Sequence, residues 1–342
     1  MIGSNLHNGS VDAKQYGIGA GAQRLGLLSS TDQDSGNLSL YGENSFYVLP
    51  SVALVAGTQY LHATRAQDVR FTSVGDRSGR SAFDLWSPKL GLLWDVDAGW
   101  QVFANVSRSA EIPSFGENTV ATAFDARAQR GTTYEIGTRG ARPNFTWDLS
   151  LYRAEIDGEL QCITIVTPFF TNTCAVTNAD STVHQGVEAG AGAALLQSLL
   201  VAGPAPDKLW LNASYTFNDF HFDNDAVWGD NEMPGAPRHY LRAELLYKHP
   251  SGVYLGPNVE WVPEAYVVDN ANTLQTEAYA IWGAKLGFDN GGQVTVYVEG
   301  RNLSDEAYIA SASVAGNVGG LDTALFEPGN GRAVYAGVQY RW

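Results

Sequence analysis

The sequence predicts an all-β chain, an antiparallel transmembrane β-barrel with about 13 or 14 strands present. Three observations predict the spanning strands. Apolar and polar residues alternate with period two along most of the chain, as in strands whose two faces meet different surroundings. The alternating runs are about 9 to 16 residues long; soluble strands run about 5 to 6, and a tilted spanning strand needs about 9 to 11. Connections switch between tight turns and long polar loops, which is how outer-membrane barrels segregate their two ends.

Residues 1–36 are Gly- and Ser-rich and weakly patterned, and are read as a partial strand and loop with a weak strand at Gln15–Leu27. Residues 37–342 carry the clear pattern. Asn37–Val48 and Ser51–Asp68 are two long strands joined at Leu49-Pro50, followed by a polar loop over 69–82. Phe83–Asp95 and Trp100–Ser109 flank a DVDAG turn, and an irregular stretch, 110–127, leads to Gln129–Gly140. The ARPN turn leads into Phe145–Asp157, and a long loop bearing Cys162 and Cys174 follows. Ser181–Leu196 is the next strand. Its tail, Ala189–Gly203, is read as a strand end and turn rather than a short helix, because Pro204 and Pro206 follow.

Leu209–Phe222, Pro237–Lys248 and Val253–Val268 continue the series, with an acidic loop at 223–236 and a bulge expected at Pro257, which has no N–H to donate. Glu277–Asp289 and Val294–Leu303 flank an Asn-Gly-Gly hairpin turn. After a loop over 304–330 comes the closing strand, Gly331–Trp342, with Val334, Ala336, Val338, Tyr340 and Trp342 on one face. Arg242, Glu244, Lys285, Glu299 and Arg301 all fall opposite the apolar stripe, as lipid contact demands. Trp94, Trp100, Trp147, Trp210, Trp261 and Trp282 sit near strand ends or on the stripe, which suits interfacial aromatic girdles.

The net charge is −15, which argues against a nucleic-acid partner, since that needs a basic face. No apolar run is long enough for a transmembrane helix. The N-terminal residues MIGSNLHNGSVDAKQYG lack the basic and apolar regions of a signal peptide. The even cysteine pair, Cys162 and Cys174, predicts a disulfide closing a loop in an oxidising compartment. Histidines 7, 62, 184, 221, 239 and 249 are scattered; no zinc motif, serine nucleophile elbow or cofactor motif occurs, so no enzyme and no cofactor is expected. His221 lies among Asp219, Asp223, Asp225 and Asp230, which is read as a solvated acidic loop before a cation site.

Two stretches carry a family resemblance. Asn302, Leu303, Asp305 and Tyr308 in VYVEGRNLSDEAY resemble the NL-x-D-x-x-Y signature of TonB-dependent receptors, ligand-gated importers of the Gram-negative outer membrane. The ending EPGNGRAVYAGVQYRW resembles that family's last strand through Pro328, Gly329, Gly331, Arg332, Gly337, Tyr340 and Trp342. SRSAEIPSFGE, TTYEIGTRG, HQGVEAG and MPGAPRHYL are more generic matches.

The resemblance implies the C-terminal portion of a receptor barrel, embedded in outer-membrane lipid and recognised by the outer-membrane assembly machinery through its last strand. It implies uptake of a ferric siderophore or similar iron chelate. It also implies a 22-strand barrel, and so about eight more strands, with a plug domain and a TonB contact, none of which matches a stretch of this sequence, so the chain is expected to be a fragment and TonB a partner only through the missing plug. AEIP at Ala110–Pro113 departs from the run typical of heme receptors. Ligand contacts are not assigned; the candidates are Phe169, Phe170, Arg127, Arg130 and the aromatics near Trp228. The alternative is a passive 14-strand porin-like pore.

Overall fold

The computed structural model describes residues 1–72, 78–114, 126–165, 173–322 and 325–342. A single antiparallel sheet of 14 strands holds β1 (Ile2–Ile18), β2 (Arg24–Leu49), β3 (Val52–Thr72), β4 (Gly79–Asp97), β5 (Trp100–Glu111), β6 (Gln129–Arg142) and β7 (Phe145–Asp157). It continues through β10 (Ser181–Gln197), β11 (Lys208–Phe222), β12 (His239–Lys248), β13 (Val253–Val262), β14 (Tyr279–Asp289), β15 (Val294–Arg301) and β18 (Ala333–Tyr340). Two small hairpins stand in the long loops: β8 (Leu160–Ile165) with β9 (Thr173–Asn178), and β16 (Ile309–Ala312) with β17 (Phe326–Pro328). Each strand of the large sheet pairs with its neighbours along the chain. Among the described residues β1 pairs only with β2 and β18 only with β15, so the wall is an open arc.

Register explains why the alternation had to be so regular. Leu54, Leu92, Ala104, Ile136, Leu151 and Val187 lie directly opposite one another across six strands. The row beside it reads Val55, Gly91, Asn105, Glu135 and Tyr152 on the other face. A slip of one residue in any strand would exchange the rows. Among the described residues nothing covers this apolar stripe: Leu54, Leu92, Ile136, Leu151, Leu286 and Val298 are all exposed, and Val338 is 78% exposed. A contiguous apolar face of this extent is stable only against hydrocarbon. Among the described residues no helix is long and apolar enough to cross a membrane; the strands do so.

Aromatic residues mark the edges of the apolar band. On β4, Trp86 and Trp94 share the outer face and bracket Pro88, Leu90 and Leu92. Tyr60 lies beside Trp86 at 4.9 Å between ring centroids, and Phe145 stacks on Trp147 at 5.6 Å. Trp210 faces the other way, as Tyr254 and Tyr297 do: it pairs with Leu246 on the inner face, and its indole N–H donates to Asn212.

The structure corrects four expectations. Gln15–Leu27 is not one strand: β1 and β2 form a hairpin whose turn lies at 19–23, with Gly21 at φ 71 supplying the reversal. Pro257 makes no bulge. Its register with β14 is unbroken, and toward β12 the same register holds on both sides of it, so the missing N–H costs a ladder bond rather than a residue. The strand from Val253 ends at Val262, since Pro263 follows without an N–H to continue the ladder. The cysteine-bearing loop contains the β8–β9 hairpin, whose six-residue strands are too short to show a period clearly. Ala189–Gly203 is strand and turn, as expected.

Buried apolar clusters sit at the long-loop end. One gathers Phe222, Met233 and Ala179. The other gathers Val262, Tyr266 and Val268.

Candidate functional site

The site is the mouth of the wall at its long-loop end, together with the polar inner face below it. Three loops and one hairpin meet there, and the run Asp269 to Asn272 is where they converge. Asp269 is fully buried. Its Oδ1 accepts the backbone N–H of Thr273 (2.7 Å) and Leu274 (3.0 Å). Its Oδ2 accepts the Thr273 hydroxyl (2.5 Å) and the N–H of Val318 (3.1 Å), which comes from the loop before β18. Burial pushes this carboxyl up, but the four donors outweigh burial and hold it below the usual carboxylate range.

The neighbouring asparagines extend the knot. Asn270, also fully buried, donates from Nδ2 to Gln161 Oε1 on β8 (3.0 Å), and its carbonyl accepts Asn231 Nδ2 (2.7 Å). Asn272 donates to the carbonyl of Glu232 (2.8 Å) and accepts the Glu232 N–H (2.9 Å). Thr164 on β8 donates its N–H to the carbonyl of Val314 (2.8 Å). The β8–β9 hairpin and the loops bearing Asn231, Asn270 and Val314 are thereby tied into one cap.

The two resembling motifs also come together, at the foot of the last loop. Asn302 is 2% exposed and takes a left-handed backbone, φ 48, which asparagine tolerates best among residues with a Cβ. Its Nδ2 donates to the carbonyls of Glu306 (2.8 Å) and Asn330 (3.0 Å), and its Oδ1 accepts the Glu306 N–H (2.8 Å). Asp305 accepts the N–H of Arg332 (3.0 Å). Tyr308 accepts the Gly329 N–H at its carbonyl (2.8 Å), and a Cβ at Gly329 would stand 2.1 Å from the Tyr308 ring, so only glycine fits. Gly331 lies against the Asp305 carboxylate. Leu303 donates its N–H to the carbonyl of Trp282 on β14 (2.8 Å). Asn302, Asp305, Tyr308, Gly331 and Arg332 thus form one clasp that closes the loop before β18. Tyr340 and Trp342 lie apart from it, exposed at the tight-turn end of the outer face.

Below the cap the inner face is charged and self-paired. Lys285 lies 3.6 Å from Glu244, Arg242 3.8 Å from Glu260, and Arg301 2.8 Å from Glu299. These residues line a concave groove of about 720 Å³. Further along, Glu135 accepts Asn105 Nδ2 (2.5 Å) and the Ser150 hydroxyl (2.6 Å). Such a surface suits polar or aqueous surroundings.

The other sequence candidates divide. Phe169 and Phe170 lie outside the described residues. Trp228 packs beside Phe222 and Met233, inside the cap. Arg127 meets Asn178 through its backbone, while Arg130 stands exposed on β6. Asp225, among the acidic residues near His221, is buried and accepts the N–H groups of Asp180, Val227 and Trp228. Cys162 stands on β8 and Cys174 on β9, the two strands of one hairpin. Sequence reasoning missed Asp269, Asn270 and Asn272; the run Asp-Asn-Ala-Asn is a turn signal whose distant partners no local pattern discloses.

A family model described as TonB dependent receptor-like, beta-barrel, matches residues 2–303. No curated protein sequence matches. Among solved structures, the unliganded ferric citrate transporter FecA is 18% identical over 99% of this chain and 50% of its own, with a TM-score of 0.77. The siderophore receptor PiuA from Acinetobacter baumannii is 16% identical over 99% and 52%, at 0.75, and the copper transporter OprC 15% over 99% and 53%, at 0.78. At these identities the likeness is one of fold, and the chain spans about half the length of each.

Proposed function

The chain belongs to the TonB-dependent receptor β-barrel family, and from that membership we propose that it is the wall and loop cap of an importer taking up a ferric siderophore or similar iron chelate. The family is one of outer-membrane transporters of Gram-negative cells, not of enzymes. Its tight turns then face the periplasm and its knotted loops the exterior. The observation that carries the reading is the cap itself. Three long loops and a hairpin are tied together through Asp269, Asn270 and Asn272 above a charged lumen. A passive pore has no use for so much ordered structure across its mouth, whereas a receptor needs a fixed surface to present to a ligand. The names of FecA and PiuA support iron as cargo, and that of OprC marks a second metal to be tested.

In this proposal the ending motifs place the chain in the C-terminal portion of the barrel, and β18 with Trp342 is the strand read by the outer-membrane assembly machinery. Gating by TonB acts through a plug that occupies the lumen. Cys162 and Cys174 are proposed to form a disulfide across the β8–β9 hairpin; alkylation and mass measurement before and after reduction tests it, and two alkylated thiols before reduction would refute it.

The functional test is retention of radiolabelled ferric chelates of citrate, catecholate and hydroxamate type by outer membranes carrying the chain, with conductance recorded in parallel. Saturable retention of one class is expected. Retention of none, with a steady open conductance, would favour the pore instead.

A further inference from the structure

The connection between β10 and β11 is the longest at the periplasmic end, and transport gives it no role. From Ala189 to Pro206 the sequence has no charged residue. Leu195, Leu196 and Leu199 are exposed there, and Leu200 is 80% exposed. Exposed leucines in a connection of ordinary polarity would be unremarked singly; four within six positions, at one end of a membrane wall, form a patch.

The turn is built to hold them out. Asp207 is fully buried and accepts the backbone N–H groups of Leu199 (2.7 Å) and Leu200 (2.8 Å) on its two carboxylate oxygens. Oδ2 also accepts the Tyr247 hydroxyl (2.7 Å). Burial pushes this carboxyl up, yet the tyrosine and backbone donors outweigh it and hold it below the ordinary value. Ser198 at φ 58 and Gly203 at φ 125 reverse the chain on either side. The N–H groups of both leucines are therefore held by Asp207, and their side chains stay exposed.

Their position is fixed by register. Leu196 pairs with Leu209, Leu209 with Tyr247, Tyr247 with Leu255, and Leu255 with Leu286. This row belongs to the lipid-facing side of the wall. Tyr247 is an aromatic at the end of its strand, as girdle residues are, and its hydroxyl reaches the carboxylate that fixes the turn. The leucine patch is thus continuous with the apolar band and begins where the band meets the headgroups.

We propose that the connection 198–206 is a lipid-interface anchor, with Leu199 and Leu200 seated in the headgroup–acyl boundary of the periplasmic leaflet. The partner is phospholipid: the patch is uncharged, so burial of apolar area rather than charge attraction holds it there. The inference rests on the membrane-wall reading.

The test places a single environment-sensitive fluorophore at Leu200→Cys, and in a second variant at Ser251→Cys, an exposed position in another tight turn of the same end. The full chain is folded into phospholipid bilayers, and the signal of the parent chain with Cys162 and Cys174 is subtracted. The label at position 200 is expected to emit at shorter wavelength, to be quenched by lipids carrying a nitroxide near the headgroup, and to lose iodide quenching; the label at 251 does the reverse. Equal iodide quenching at both positions overturns the anchor, as does shielding at 200 that appears only when periplasmic protein is added. Native tryptophan emission separates the two readings. If lipid nitroxides fail to quench the tryptophans as well, the wall itself is refuted. In isolated outer membranes an impermeant maleimide gives a second measure: position 200 is labelled only after detergent, position 251 at once, and immediate labelling of both overturns the anchor.

Discussion

Asn302 and Asp269 each replace several backbone contacts that the loops cannot make with themselves. Asn302 satisfies two carbonyls and one N–H from a buried position, and a left-handed backbone puts it where no other residue with a Cβ sits as easily. Asn302→Ala leaves all three groups unpaired and is expected to destabilise the clasp by about 1–3 kcal/mol. The readout is cleavage within 304–330 by added protease, at an unchanged barrel migration on unheated gels; unaltered cleavage would contradict the clasp. Asp269 carries a pH dependence. Its carboxyl titrates below its unfolded value, so its contribution is complete above the carboxylate range and is lost as pH falls through and below it. Hydrogen exchange at the amides of Thr273, Leu274 and Val318 is expected to accelerate beyond its intrinsic pH trend below about pH 4, and Asp269→Asn to show that acceleration already at neutral pH. Motif residues such as Asn302 could be picked from the sequence because a family pattern marks them. Their meeting with Asn330 and Arg332 could not, since contacts across a loop of this length leave no periodic trace.

At the level of the strand, the two faces obey opposite rules. Leu286 is exposed to lipid and Lys285, its chain neighbour, faces Glu244 across the lumen wall. Leu286→Arg is expected to cost about 2–4 kcal/mol in bilayer unfolding by urea, if it sits near the midplane. Lys285→Gln removes a part-exposed ion pair and should cost about 1 kcal/mol or less. Equal costs would contradict the facing. This facing was legible from sequence almost everywhere, because a strand with lipid on one side cannot slip by one residue without placing charge in hydrocarbon. Legibility failed where that constraint lapses. The β1–β2 hairpin rises with polar residues on both faces, so Gln15–Leu27 showed no clean period and its turn was overlooked. At Pro257 the expectation of a bulge ignored that neighbouring ladder bonds hold the register unaided. The β8–β9 hairpin lies outside the wall and is held by Asn270 and Val314 from distant loops, so no lipid face imposes a period on it.

At the scale of the molecule, the 14-strand arc has two edge strands, β1 and β18, each paired on one side only among the described residues. Backbone groups at bilayer depth cannot remain unpaired, so in a membrane both edges must be covered by strands. Because the number of strands is even, the two edges run antiparallel to each other, and an even number of further strands completes a barrel without a parallel pair. Amides of β1 and β18 are therefore expected to exchange as slowly in bilayers as those of β6 and β7; fast exchange at either edge would mean an unsealed wall. The central claim is that this sheet is a membrane wall with lipid on one face and a polar lumen on the other. Single spin labels placed at successive positions from Ile281 to Phe288 on β14, in the bilayer-embedded chain, test it most directly. Oxygen accessibility is predicted to peak at 282, 284, 286 and 288, and accessibility to a water-soluble nickel chelate at 281, 283, 285 and 287. Two accessibilities that rise and fall together, or that show no period of two, would contradict it.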